Sequence, residues 1–172
     1  DTLTIANTAP TAPEISVDTE TTSTCSGLSF DGVNDYIEVD ASSDFTYGGD
    51  LTVETWLKWD GRTGASYQIL YNHGWAGGCA YRMHIKVDGG LQLATPCDGG
   101  TTLDPSRKLS AGTWQHLALV RSAGLGGWLI YLDGSEIGSY GEGVPSDQSD
   151  EILSIGSVSA SSCTSCPTDY AF

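Results

Sequence analysis

At 172 residues the chain has the length of one domain with a full hydrophobic core. Its 7 Lys and Arg against 22 Asp and Glu give a formal net charge of -15, which argues against nucleic acid or an anionic membrane as partner, because both demand clustered basic side chains. With 22 Gly, no helix-forming run and turn signals recurring between short apolar segments, the composition predicts an all-β protein.

The first 24 residues, DTLTIANTAPTAPEISVDTETTST, read as an extended arm. Leu3 and Ile5 alternate with Thr2 and Thr4, and Ile15 and Val17 repeat the pattern beyond Pro10 and Pro13. The arm is thus a short strand, a stiff proline-containing spacer and a second short strand. It is either a tether between domains or a strand handed to a neighbouring subunit. Residues 25–172 make the folded body. Leu28 to Phe30 and Val33 to Val39 are its first strands, with Ile37 and Val39 on one side and Tyr36 and Glu38 on the other. Leu51, Val53, Leu57 and Trp59 alternate along a long strand that carries Trp56 on its opposite face. Tyr67 to Tyr71 is the next strand, followed by a Gly-rich loop from His73 to Gly78. Ala80 to Val87 and Leu91 to Thr95 flank the turn Asp88-Gly89-Gly90, and Cys79 and Cys97 bracket that hairpin at positions a disulfide can span.

Trp114 to Ser139, WQHLALVRSAGLGGWLIYLDGSEIGS, is the organising stretch. Trp114, His116, Ala118 and Val120 fall on one face of its first strand and Gln115, Leu117 and Leu119 on the other. Both faces are largely apolar, which predicts burial on two sides. Asp133-Gly134 is the dipeptide of a tight hairpin turn between Trp128–Leu132 and the strand from Ser135 to Tyr140. Ile152 to Ile155 supplies one more strand before the Ser-rich and Cys-containing tail that ends at Phe172.

The WQHLALVR and WLIYLDGSEIGS segments resemble the central hairpins of laminin-G-like domains of the concanavalin A-like lectin/glucanase superfamily. LSFDGVNDYIEV and LTVETWLKW resemble that family's opening strands, in the expected order. The resemblance implies a concanavalin A-like jelly-roll β-sandwich, here with an extended N-terminal arm. It also implies a closing strand beside the opening one, of which Tyr170-Ala171-Phe172 offers only a beginning. A sandwich with that gap exposes unpaired backbone and apolar core. A strand donated by the arm of the next copy would fill the gap, and head-to-tail repetition gives a filament.

Among candidate sites, Asp31, Asn34 and Asp35 form an oxygen-rich turn able to hold a structural calcium, as concanavalin A-like domains often do. Asp147, Asp150 and Glu151 form a second acidic loop, and in both places ordinary Asx-type turn bonds are the plainer reading. Trp75 and Tyr81, with Asn72 and His73, offer a sugar-stacking loop, unless these rings pack in the core. Cys163 and Cys166 form a CxxC without the βαβ surroundings of a redox motif, so a disulfide is expected within it or from it to Cys25. His73, His84 and His116 are scattered and give no zinc spacing. The paired carboxylates of a glycosidase, a nucleophile elbow and a zincin motif are all missing, so no enzyme is expected and no cofactor is required. Glu38 and Asp40 share a strand face without the rest of such a motif. There is no N-x-S/T sequon, although the Thr- and Ser-rich ends offer O-glycan sites.

Five cysteines point to an oxidising compartment, and no apolar run reaches the length of a bilayer span. The chain opens on Asp1 without a leader, as a processed or partial chain would. The expectation is an extracellular, non-enzymatic structural module, the repeating subunit of a surface filament joined through Leu3, Ile5, Ile15 and Val17. The alternative is a carbohydrate-binding or adhesive module of a larger surface protein, with calcium as a candidate requirement.

Overall fold

A computed structural model of the chain describes residues 3–6, 27–33, 35–45, 50–61, 67–73, 81–94, 101–102, 106–122, 124, 126–141 and 152–156. Within them run strands β1 (Leu3–Ala6), β2 (Tyr36–Val39), β3 (Leu51–Lys58), β4 (Tyr67–His73), β5 (Tyr81–Lys86), β6 (Leu91–Ala94), β7 (Thr101–Thr102), β8 (Trp114–Ser122), β9 (Gly127–Leu132), β10 (Ser135–Gly141) and β11 (Leu153–Ile155). The single helical piece among the described residues is a 3-10 turn at Ser43–Phe45. The strands make two antiparallel sheets. One has seven strands in the order β1-β2-β11-β4-β5-β6-β7, and the other four in the order β10-β9-β8-β3.

The core lies between the sheets and follows from side-chain alternation. From the larger sheet, Tyr81, Met83 and Ile85 of β5 and Leu91 and Leu93 of β6 point inward. Leu57, Leu117, Leu119, Trp128, Ile130 and Leu132 meet them from the smaller one. Trp128 packs on Tyr81 across the gap, with ring centroids 4.9 Å apart, and the Tyr81 and Tyr71 hydroxyls share a hydrogen bond of 2.5 Å. Trp59 is buried with its indole N–H donating to Gln68 Oε1 at 2.7 Å, which satisfies the one polar atom that burial would otherwise strand. Two bulges add residues to this core. The β4–β5 register shifts between Ile69 and Tyr71, and the β9–β10 register between Glu136 and Gly138. The extra residues, Leu70 and Ile137, are both buried in the core, and each bulge shifts the phase of alternation in the rest of its strand.

The turns follow the sequence closely. Asp133 and Gly134 carry φ of 50° and 74°, the positive pair a two-residue primed turn requires. The β5–β6 turn runs one step longer than the Asp-Gly-Gly reading. Gly89 N donates to Lys86 O at 2.9 Å and Lys86 N to Gly90 O at 2.7 Å, a turn closed by a left-handed glycine in a bulge. A Cβ on Gly89 (φ 79°) would come within 2.7 Å of Leu109 O and 2.9 Å of Trp59 Cζ3.

The N-terminal arm departs from the filament expectation. Leu3–Ala6 pairs antiparallel with β2 of its own chain, in the register Leu3 with Val39 and Ile5 with Ile37. Strand β2 has β11 on its other side, so the edge beside the opening strand is filled from within, and the sheet includes residues from both sides of the expected boundary at residue 24. The physical reason is proximity. A strand tethered by residues 7–35 meets its own β2 at a high effective concentration, and a neighbour's strand must compete with it. Ile15 and Val17, the other half of the expected assembly strand, lie outside the described residues, as does the tail from residue 157. The full chain is expected to be monomeric by light scattering. Deleting residues 1–7 should lower Tm by roughly 4–8 °C, about 2 kcal/mol of lost edge pairing. A polymer that dissolves on this deletion, with Tm unchanged, would show instead that the strand is donated.

Candidate functional site

The outer face of the smaller sheet carries the chemistry. In β8 the residues Gln115, Leu117, Leu119 and Arg121 are buried, which turns Trp114, His116, Ala118 and Val120 outward. In β3 the inward Leu57 leaves Thr52, Glu54, Trp56 and Lys58 exposed. Trp56 is 65% and Trp114 57% exposed. Burial on both sides of β8 therefore holds at its middle, where Ala118 is 7% exposed, and fails at the Trp114 end. There β3 is the edge strand, and the outer face meets solvent rather than a second layer.

The register sets Trp56 opposite His116 and Lys58 opposite Trp114. The Trp56 and His116 rings are in tilted contact at 5.3 Å, and His116 Nε2 lies 3.5 Å from Glu54 Oε2. The start of β8 is fastened to the β9–β10 turn. Asp133 N donates to His116 O at 2.8 Å, and the Asp133 carboxylate accepts from His116 N at 2.9 Å and Gln115 Nε2 at 3.0 Å. These bonds, that from Gln115 foremost and that from the His116 N–H next, hold the Asp133 carboxyl below the usual carboxylate range. The result is an exposed aromatic face of Trp56, His116 and Trp114 with one ammonium (Lys58) and one carboxylate (Glu54) on the same side of β3. Such a face can stack against the C–H faces of a sugar while the polar groups bond its hydroxyls.

The residues singled out from sequence are placed elsewhere. Tyr81 is fully buried against Trp128 and His73 and offers no surface to a sugar. Asn72 and His73 are equally buried at the end of β4, where Asn72 Nδ2 donates to Ser154 Oγ at 3.2 Å. The bulge at Leu70 resets the phase of β4 and carries His73 into the core, which its place before a Gly-rich stretch concealed. Trp75 lies outside the described residues. Asp31 accepts from Val33 N at 2.7 Å and Asp35 from Asp31 N at 2.9 Å, so both carboxylates serve as turn caps. Asn34 is outside the described residues, as are Asp147, Asp150, Glu151 and all five cysteines, Cys25, Cys79, Cys97, Cys163 and Cys166. Among the described residues no three His, Cys, Asp or Glu come together as metal ligands. Trp56 and Trp114, the exposed tryptophans of this face, were not singled out from the sequence. The signal was present in Thr52, Glu54, Trp56 and Lys58, a polar strand face with a tryptophan set into it.

A laminin-G-type family model, described as the concanavalin A-like lectin/glucanases superfamily, matches residues 31–166. The chain belongs to this superfamily. Domains LG4-5 of the mouse laminin alpha1 chain are similar in structure, with a TM-score of 0.54 at 18% identity over 78% of this chain and 34% of that one. Domain 4 of AbnA, an extracellular arabinanase of Geobacillus stearothermophilus solved with arabinotriose, gives 0.54 at 15% identity over 72% of this chain and 58% of that one. The NanB sialidase of Streptococcus pneumoniae gives 0.53 at 17% identity over 70% of this chain and 21% of that one. The chain thus spans from about a fifth to under two thirds of these proteins' lengths, and the likeness is one of fold. No curated protein sequence matches it.

One titrating group outside the aromatic face reports on the larger sheet. His84 of β5 is mostly buried beside Tyr67, with ring centroids 5.3 Å apart, and its Nε2 has no hydrogen-bond partner. Burial first and the Arg82 charge second lower its pKa from 6.5 to about 4. Between those values the unfolded chain holds a proton the folded one does not, so this contribution to stability falls as pH drops from 6.5 toward 4. Relative to a His84→Gln variant, the wild-type chain should lose roughly 3 kcal/mol more over that interval, read as urea midpoints at pH 7 and pH 4. Parallel losses in the two proteins would contradict the assignment.

Proposed function

We propose that this chain is a non-catalytic, extracellular carbohydrate-binding module whose ligand lies across Trp56 and Trp114. The observation that carries the proposal is the exposure of two indoles on one fixed sheet face. Large apolar rings left in water together mark a binding surface more often than chance. Membership of a lectin-containing superfamily supports the reading, and so does the fold's likeness to an arabinanase domain solved with arabinotriose. Among the described residues no helix is long and apolar enough to cross a membrane. No cofactor is required in this reading.

Two measurements test it. In affinity electrophoresis against soluble polysaccharides, Trp56→Ala and Trp114→Ala should each weaken binding about tenfold, equivalent to ~1.4 kcal/mol, while stability changes by less than about 0.5 kcal/mol, as for exposed positions. Binding that survives the double substitution would refute the site. EDTA should leave Tm unchanged; a fall of several degrees restored by calcium would assign a structural ion, with the turn at Asp31, Asn34 and Asp35 as its first candidate.

A further inference from the structure

Resting on the carbohydrate-binding reading, we propose that the ligand is an uncharged, equatorially linked polysaccharide that lays at least two successive sugar rings flat along Trp56 and Trp114, and that polyanionic glycans are rejected. The span comes from the register. Trp56 stands opposite His116 and Trp114 opposite Lys58, so the indoles occupy diagonal positions on adjacent antiparallel strands, roughly 7–8 Å apart at the backbone. One sugar ring cannot cover both positions, and two linked rings can. The linkage preference comes from both indoles standing exposed on one face of one sheet, so that a ligand covering both must turn two ring faces to the same side. Equatorial linkages give a ribbon whose neighbouring rings present C–H faces to one plane, whereas axial linkages coil the chain away from a planar support.

The charge comes from the composition and its local arrangement. The chain carries a formal net charge of -15. On this face Glu54 lies 3.5 Å from His116, and on the other side of β8 the Asp133 carboxylate accepts from Gln115 Nε2 and His116 N, while Lys58 is the one exposed ammonium on the outer face of β3. On the same sheet, Arg121 is buried and not presented to a ligand. A uronate or sulfate chain would bring like charge to like charge, at close range and through the field of the whole molecule. A neutral chain offers hydroxyls that donate to Glu54 and accept from Lys58, with no charge to desolvate.

The test uses the full chain in affinity electrophoresis and titration calorimetry with four probes: a soluble mixed-linkage β-glucan, a β-xylan, polygalacturonate and heparin. The expected result is retardation by at least one neutral β-linked polymer. Binding to its disaccharide should be at least about tenfold weaker than to its tetrasaccharide. Each Trp→Ala substitution should weaken the interaction about tenfold, and Trp56→Tyr should retain most of it. Polygalacturonate and heparin should not bind at low salt. Binding of either polyanion, lost on the same tryptophan substitutions, would overturn this inference and leave the carbohydrate-binding reading standing. Retardation by none of the four, with both substitutions turning a self-associated species into a monomer, would overturn both, because the aromatic face would then be an interface between copies.

Discussion

The contact of Trp128 with Tyr81 is the constraint that orders the rest. It joins the middle of the smaller sheet to the middle of the larger one and fixes the side of β9 that faces inward. In a sheet, fixing one side chain fixes its whole strand and, through the register, the neighbouring strands. With Trp128 inside, Arg121 opposite it on β8 is inside too, then Leu119, Leu117 and Gln115. His116 and Trp114 must then face out, and Trp56 follows through its pairing with His116. The exposed aromatic face is therefore a consequence of core packing, and a one-residue slip of β8 would bury it and expose the leucines.

Edges explain the remaining architecture. A sandwich has four edge positions, and each open row of backbone groups is a pairing hazard. The larger sheet places β1 on one edge and the two-residue β7 on the other, so one edge is supplied by the distant N terminus and the other is too short to recruit a strand. Among the described residues the smaller sheet ends in β3, eight residues long and with no strand on its outer side. Its alternate positions hold Glu54 and Lys58, charges of the kind that discourage edge-to-edge pairing. The tryptophan between them stands out against that background and suits a ligand that uses ring faces and hydroxyls, not a strand that uses the backbone.

Much of the fold was legible in the sequence because it is written locally. The alternation in YRMHIK and WLIYL, the Asp133-Gly134 turn and the motif resemblance of WQHLALVR each specify their element without help from distant residues. The bulges at Leu70 and Ile137 were not legible, since one inserted residue leaves no compositional mark; the first of them misplaced His73. The arm was misread because strand propensity says that Leu3–Ala6 is extended and nothing about whose edge it joins. That is decided by tether length and the open side of β2. The exposed aromatic face was not legible for a related reason. Exposure of Trp56 and Trp114 depends on which sheet lacks an outer layer, a fact of topology, while Tyr81 looked accessible only because it follows a Gly-rich loop.

The inward commitment of Trp128 and Trp59 leaves Trp56 and Trp114 exposed together, and the proposed sugar-binding face depends on it. The most direct measurement is a nitrogen–proton correlation spectrum of the five tryptophan indoles during titration with a soluble neutral β-linked oligosaccharide. The account predicts that the Trp56 and Trp114 indole signals shift together and saturate, while those of Trp59 and Trp128 stay in place. Saturable binding that leaves the Trp56 and Trp114 signals unmoved would contradict it.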